Sequence, residues 1–222
     1  MRLLQRNGYA ATSWRGVVEE AGTPWGSAHH YFPGGKEQLT AAAVQLGSDL
    51  VVAALEDSLE RTGSVAEGVR GWFAASAKNL TRSRYRGGCP IATVALETTP
   101  ESTALTAVCE ASFRQWQTFL ASRLRQAGVT TARARELATL VVANLEGALL
   151  LARVTQDTRP ITLAAEAMAH LIDSETKERS VGPYVSPGSQ ALEPPWASST
   201  APVTYDAVGP ARNAIAAAIS SG

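Results

Sequence analysis

Residues 8–39, GYAATSWRGVVEEAGTPWGSAHHYFPGGKEQL, read as two short helices joined by a tight turn, with the start of a longer helix behind them. Thr12 or Ser13 can cap the first of the two, and Val17, Val18 and Ala21 give it an apolar face. Gly22 supplies the stop, Thr23 a new cap and Pro24 a fixed φ at the first helical position. In residues 24–31, Ala28 and Tyr31 share an inward face, leaving Trp25, Ser27, His29 and His30 elsewhere on the cylinder. Ser27, His29 and His30 bring hydrogen-bonding groups suited to base edges, and Trp25 offers apolar surface to a thymine methyl. Gly26 lets the helix approach closely. A helix-turn-helix reader of the DNA major groove is laid out in this way.

The residue types alone leave a second reading open, in which Trp25, His29 and Tyr31 merely pack a small surface helix. A metal site at His29 and His30 fits poorly, because adjacent helical residues diverge by about 100°. Whole-chain charge gives the DNA reading no support: 20 basic residues balance 20 acidic ones. Around the motif, Arg2, Arg6, Arg15 and Lys36 only slightly outnumber Glu19, Glu20 and Glu37. Cys89 and Cys109 lack metal or redox spacing and read as reduced thiols. No apolar run opens the chain as a signal sequence would. The most apolar stretch, residues 138–151, is interrupted by Asn144, Glu146 and Gly147 and reads as too short to span a bilayer. A soluble, cytoplasmic protein without a cofactor and without membrane contact is expected.

Helical periodicity dominates the rest, and strand signals are nearly absent, so the fold is expected to be all-α. A short first helix, residues 1–6, stops at Asn7-Gly8. A long fourth helix opens at Lys36 with Leu39, Ala42, Ala43, Leu46, Leu50, Ala53 and Ala54 near helical spacing, and ends at Gly63. Further helices are predicted over 64–82, 91–96, 100–128, 131–155 and 160–179. Residues 180–222 turn rich in Pro, Gly and Ser and are expected to be disordered, apart from one weak helix over 211–219.

The quoted segment closely resembles the N-terminal DNA-binding domain of TetR-family regulators, over roughly residues 3–46. PGGKEQL, the later RGGCP and the LEGALLLAR run are similar to the LmrA/YxaF-type subgroup. The resemblance implies all-α homodimers that bind palindromic DNA operators and release them on binding a small ligand. It places Pro24, Trp25, Ser27 and His29 at bases or backbone, and His30 at a phosphate. Thr12, Ser13 and Lys36 fall on its other phosphate contacts, the helix dipole helping at the first two. His29 stands where the family commonly has Tyr, and Trp25 where a polar residue is frequent. The family's first helix is usually longer, so the chain is expected to begin in mid-helix. The implied division is a helix-turn-helix domain over 1–46, a ligand-binding and dimerisation bundle over 47–179, and the tail.

In the second half, Trp72, Phe73, Trp116 and Phe119 are candidate ligand contacts, with core packing as the other reading. Asn144 and Glu146 sit within the most apolar helix. A buried carboxylate there needs a partner: Arg153, a cationic or hydroxyl-bearing ligand, or a place at a dimer seam. Leu137, Leu140, Val141, Leu145, Ala148, Leu149 and Ala152 make that helix apolar over more than one face, as a dimer interface requires. Enzyme chemistry finds no footing, since Cys89, Cys109 and His170 lack nucleophile–base spacing. The competing reading is a helical, dimeric ligand-binding protein that has lost DNA binding through truncation of its first helix.

Overall fold

The computed structural model describes residues 2–98 and 101–177 of the 222-residue chain. The expected disordered tail and its weak helix lie outside the described residues. Helix α1 (Arg2–Asn7) ends because Gly8 turns left-handed at φ +76°, its N–H donating to the Leu4 carbonyl at 3.0 Å. Helix α2 (Trp14–Ala21) is capped by Ser13, whose Oγ accepts from the Gly16 N–H at 3.0 Å. Gly22 closes it in the left-handed conformation. Helix α3 (Trp25–Tyr31) starts one residue later than the pattern predicts: Pro24, at ψ 138°, is the cap itself, and its carbonyl accepts from the Ser27 and Ala28 amides.

The remaining helices are α4 (Gly35–Thr62), α5 (Val65–Arg82), α6 (Pro90–Thr98), α7 (Thr103–Gln126), α8 (Thr131–Thr155) and α9 (Arg159–Lys177). Ser64 and Ser102 cap α5 and α7 with their hydroxyls. No strand occurs among the described residues. Helices α4, α5, α7, α8 and α9 pack into one bundle around Leu55, Phe73, Leu105, Leu120, Leu137 and Ile161, and α6 lies against α1, α4 and α7.

Three inward faces differ from their sequence reading. On α2 only Val18 is fully buried; Val17 is half-buried and Ala21 exposed. On α3 nothing is buried, and Tyr31 stands 73% exposed. On α4 the buried stripe is Thr40, Val44, Ser48, Leu55, Ser58 and Leu59, while Leu46 and Leu50 face outward. Hydroxyl-bearing residues line this seam because the neighbours come close and offer partners. Ser48 Oγ hydrogen-bonds Gln115 Oε1 at 2.8 Å, and Trp116 Nε1 donates to the Ser48 carbonyl at 3.3 Å. Along α5, Gly68 and Gly71 press their backbone against α4: a Cβ on either would lie 2.4 Å from Leu59 Cδ2 or Ser58 Oγ.

Helix α8 corrects the length argument made for its apolar core. It runs 25 residues, and it and α4 are long and apolar enough to cross a bilayer by length and composition. What marks α8 as a bundle helix is the burial of Ala134, Leu137, Ala138, Val141, Leu145 and Ala152 against its neighbours. Its other face leaves Leu140, Leu150, Leu151 and Val154 exposed, and Leu163 on α9 is exposed as well.

Candidate nucleic-acid interface and effector cavity

Helix α3 projects a free face. Pro24, Trp25, Ser27, His29 and His30 are all exposed, Trp25 at 56%. A Cβ built on Gly26 meets nothing within 4 Å, so this side of the helix is open to a ligand as flat as a groove wall. Ser13, at the start of α2, is also exposed. Local charge is thinner than the sequence count indicates, because Arg15 pairs with Glu19 at 2.9 Å on the surface of α2.

The reader is clasped to the bundle by polar contacts around the turn after α1. Glu97 on α6 accepts a hydrogen bond from the Ala10 amide at 2.7 Å. Thr12 is buried, and its hydroxyl donates to the Gly8 carbonyl at 2.6 Å, tying the turn together. Lys36 lies over the Tyr9 ring at 4.0 Å and donates to the Ala10 carbonyl at 3.4 Å. Ser102, capping α7, donates to the Glu37 carboxylate on α4.

A cavity of about 460 Å³ opens where α1 meets the bundle. Trp72, Ser76, Asn79, Leu80 and Arg82 line it from α5, with Ser83 just past its end. Gly87, Gly88 and Cys89 contribute the stretch before α6, and α8 supplies Leu145, Glu146 and Leu149. Trp116 closes one side; its ring meets Trp72 edge to face, centroids 5.8 Å apart. Gln5 and Arg6 of α1 also border the space, so a guest there would touch the element preceding the reader.

Glu146 and Cys89 face each other inside it. Burial pushes the Glu146 carboxyl up to about 7, a hydrogen bond from the Cys89 thiol acting in the opposite sense. Burial first, and the Glu146 charge second, hold Cys89 well above the usual thiol range, so it is a poor nucleophile. Arg153 forms no ion pair with Glu146; its guanidinium lies near Gly88 instead.

Residues 1–43 match the family described as bacterial regulatory proteins, tetR family, and residues 65–167 match the LmrA/YxaF-like C-terminal domain of transcriptional regulators. An uncharacterised HTH-type transcriptional regulator of Mycobacterium tuberculosis is 36% identical over 186 residues, covering 80% of this chain and 92% of that protein. The chain belongs to the TetR family. The HTH-type regulator LmrA of Bacillus subtilis is 30% identical, with 77% of this chain and 91% of LmrA covered. Among solved structures, a TetR regulator from Legionella pneumophila matches with a TM-score of 0.64 at 25% identity, covering 78% of this chain and 90% of that one. A second, from Rhodobacter sphaeroides, has a TM-score of 0.68 at 19% identity over 76% and 92% of the two chains, a likeness of fold. The family and the homologues are transcriptional regulators, not enzymes.

Within this TetR-family fold the expected site residues divide. Ser13, Pro24, Trp25, Ser27, His29 and His30 are all exposed. Thr12 is a correction: its side chain is turned inward, so it braces the turn instead of facing a phosphate. Lys36 spends one donor on Ala10, with two N–H groups left over. Of the ligand candidates, Trp72, Trp116 and Glu146 line the cavity, and Phe73, Phe119 and Asn144 do not. Phe73 follows Trp72 by one residue, about 100° round α5, and is fully buried in the core. Phe119 stands three residues past Trp116 and packs under Arg123, 5.1 Å from its guanidinium. Asn144 lies about 200° round α8 from Glu146 and donates to the Leu140 carbonyl of its own helix. Sequence reasoning missed Gln5, Arg6 and the α5 polar residues, because no periodicity marks where α1 meets the bundle. The Gly87-Gly88-Cys89-Pro90 break was visible, but only as a helix stop.

Proposed function

We propose that the chain is a ligand-responsive repressor that binds a palindromic operator as a homodimer in the cytoplasm and lets go when a small apolar or amphipathic effector occupies the bundle cavity. The observation that carries this reading is the cavity's position: Trp72, Trp116 and Glu146 share it with Gln5 and Arg6 of α1, three and two residues from the turn that leads to the reader. Ser27, His29 and Trp25 address bases, and Ser13, His30, Lys36 and Pro24 address the backbone, the first kind setting sequence and the second setting register. Two-fold pairing through the exposed apolar residues of α8 and α9 supports the dimer, since Leu150, Leu151, Val154 and Leu163 otherwise face water. A symmetric pair then presents two α3 helices to successive major grooves.

Effector and operator oppose each other by favouring different arrangements of the same dimer, with a coupling on the order of 1–3 kcal/mol. Selection of bound fragments from random duplex DNA, followed by footprinting, tests the reading. Enrichment of an inverted repeat with half-sites about one helical turn apart, or a multiple of it, is the expected result. Enrichment of nothing above background leaves a helical ligand-binding dimer without a DNA role, and sinks the repressor reading.

A further inference from the structure

The cavity narrows the chemistry of its guest, an inference that rests on the reading of the chain as ligand-responsive. Glu146 is the only acidic side chain lining that cavity among the described residues. It takes part in none of the ion pairs formed among the described residues. Its partner is the Cys89 thiol, a weak donor. The wall beside it is aromatic, with Trp72 and Trp116 both buried and crossed edge to face.

Holding a half-buried carboxyl in this cavity with no cation beside it costs the fold. A positively charged guest restores the ionised form, and indole faces attract such a charge directly. A neutral hydroxyl needs no acid, because Ser76, Asn79 and Ser83 already offer uncharged partners in the same space. The other charged groups are arginines: Arg6 from α1 and Arg82 from α5 line the opening, and Arg153 of α8 lies by Gly88. All three are exposed, where water and salt screen them. The lining residues from α4 and α7 add no titratable group.

We infer that the cavity takes a lipophilic organic cation, an amine or quaternary ammonium, with its nitrogen on Glu146 and its hydrocarbon against Trp72 and Trp116. The test uses the full chain and two probes of one shape: benzyltrimethylammonium, whose charge is permanent, and neopentylbenzene, its uncharged carbon analogue. Binding is followed by tryptophan fluorescence. The unmodified chain should prefer the ammonium by about tenfold or more. Glu146→Gln should erase that preference, and Glu146→Asp should keep part of it. Ammonium affinity should rise between about pH 6 and about pH 8 as the carboxyl ionises, and stay flat in Glu146→Gln.

Should Glu146→Gln fail to fold, the probe pair and the pH profile of the unmodified chain decide the matter alone. Equal binding of the two probes, a preference that survives Glu146→Gln, or no ammonium binding at about millimolar concentration overturns the inference. Operator release, read on the same samples, separates it from the functional reading. Ammonium binding that never loosens DNA refutes the effector role and leaves the cation site standing. Release by neopentylbenzene alone does the reverse.

Discussion

Replacing Gly8 with alanine probes the joint between reader and bundle. Gly8 sits at φ +76°, and a Cβ there would lie 1.8 Å from Glu97 Oε1. Two costs arise. Holding alanine in the left-handed region takes roughly 1–2 kcal/mol. The Glu97 side chain is long and swings aside before it clashes, but in doing so it gives up the Ala10 amide at 2.7 Å. A hydrogen bond to a charged acceptor is worth roughly 1.5–3 kcal/mol. This one is exposed, and water replaces it, so about 0.5–1 kcal/mol remains. Gly8→Ala should therefore destabilise by about 2 kcal/mol and lower the melting midpoint by about 4–8 °C for a folded unit of this size. Thermal melts at fixed protein concentration measure it. In a Glu97→Ala background the second cost is already gone, so Gly8→Ala should do less harm there by about 0.5–1 kcal/mol. A loss below about 0.5 kcal/mol, or the same loss in both backgrounds, refutes the reasoning.

Gly26→Leu should leave the melting midpoint within about 2 °C, since its Cβ faces open space, yet abolish operator binding by filling the approach to the groove; binding at full strength would remove α3 from the interface. Lys36→Gln should weaken all DNA sequences alike and reduce the salt slope by about one unit, whereas His29→Ala should change preference at particular bases; indistinguishable binding profiles would undo that division of roles. Glu146 has a folded pKa of about 7 against the ordinary 4.5. Between those values the unfolded chain holds fewer protons than the folded one, so this group lowers stability as pH rises. Glu146→Gln should stabilise by up to about 3 kcal/mol near pH 8 and by little near pH 4, as denaturant titrations at both pH values would show. Val154→Glu should turn dimers to monomers in sedimentation equilibrium, with α-helical signal retained; an unchanged mass would place the partner surface elsewhere.

The fold was readable wherever punctuation chemistry is local. Ser13, Gly22, Ser64 and Gly63 end or begin helices for reasons contained within four residues of themselves, and each stands where its type predicts. The faces were less readable. Ser48 and Ser58 are buried on α4 because α7 and α5 come near enough to use them, a fact absent from α4's own periodicity. Leu46 and Leu50 look like core in one dimension and face outward in three. Trp72, Trp116 and Glu146, chosen by residue type, line the cavity. Phe73, Phe119 and Asn144 were misplaced by rotations of one to three residues, the smallest steps that carry a side chain to another side of a helix. Thr12 and Ser13 make the same point, two adjacent hydroxyls of which one is exposed and the other sealed in.

Bare backbone at Gly68 and Gly71 leaves only the Leu59 and Ser58 side chains as a cushion between α5 and α4 at this point. Four, eight and eleven residues past Gly68, nearly the same face of α5 carries Trp72, Ser76 and Asn79, which line the cavity. A shove delivered there finds only the Leu59 and Ser58 side chains to compress at this contact. Under the proposed function it would then bear on α4, a helix of 28 residues whose opposite end holds Lys36 and Glu37. Fattening either glycine would not soften this transmission but would jam it in one position.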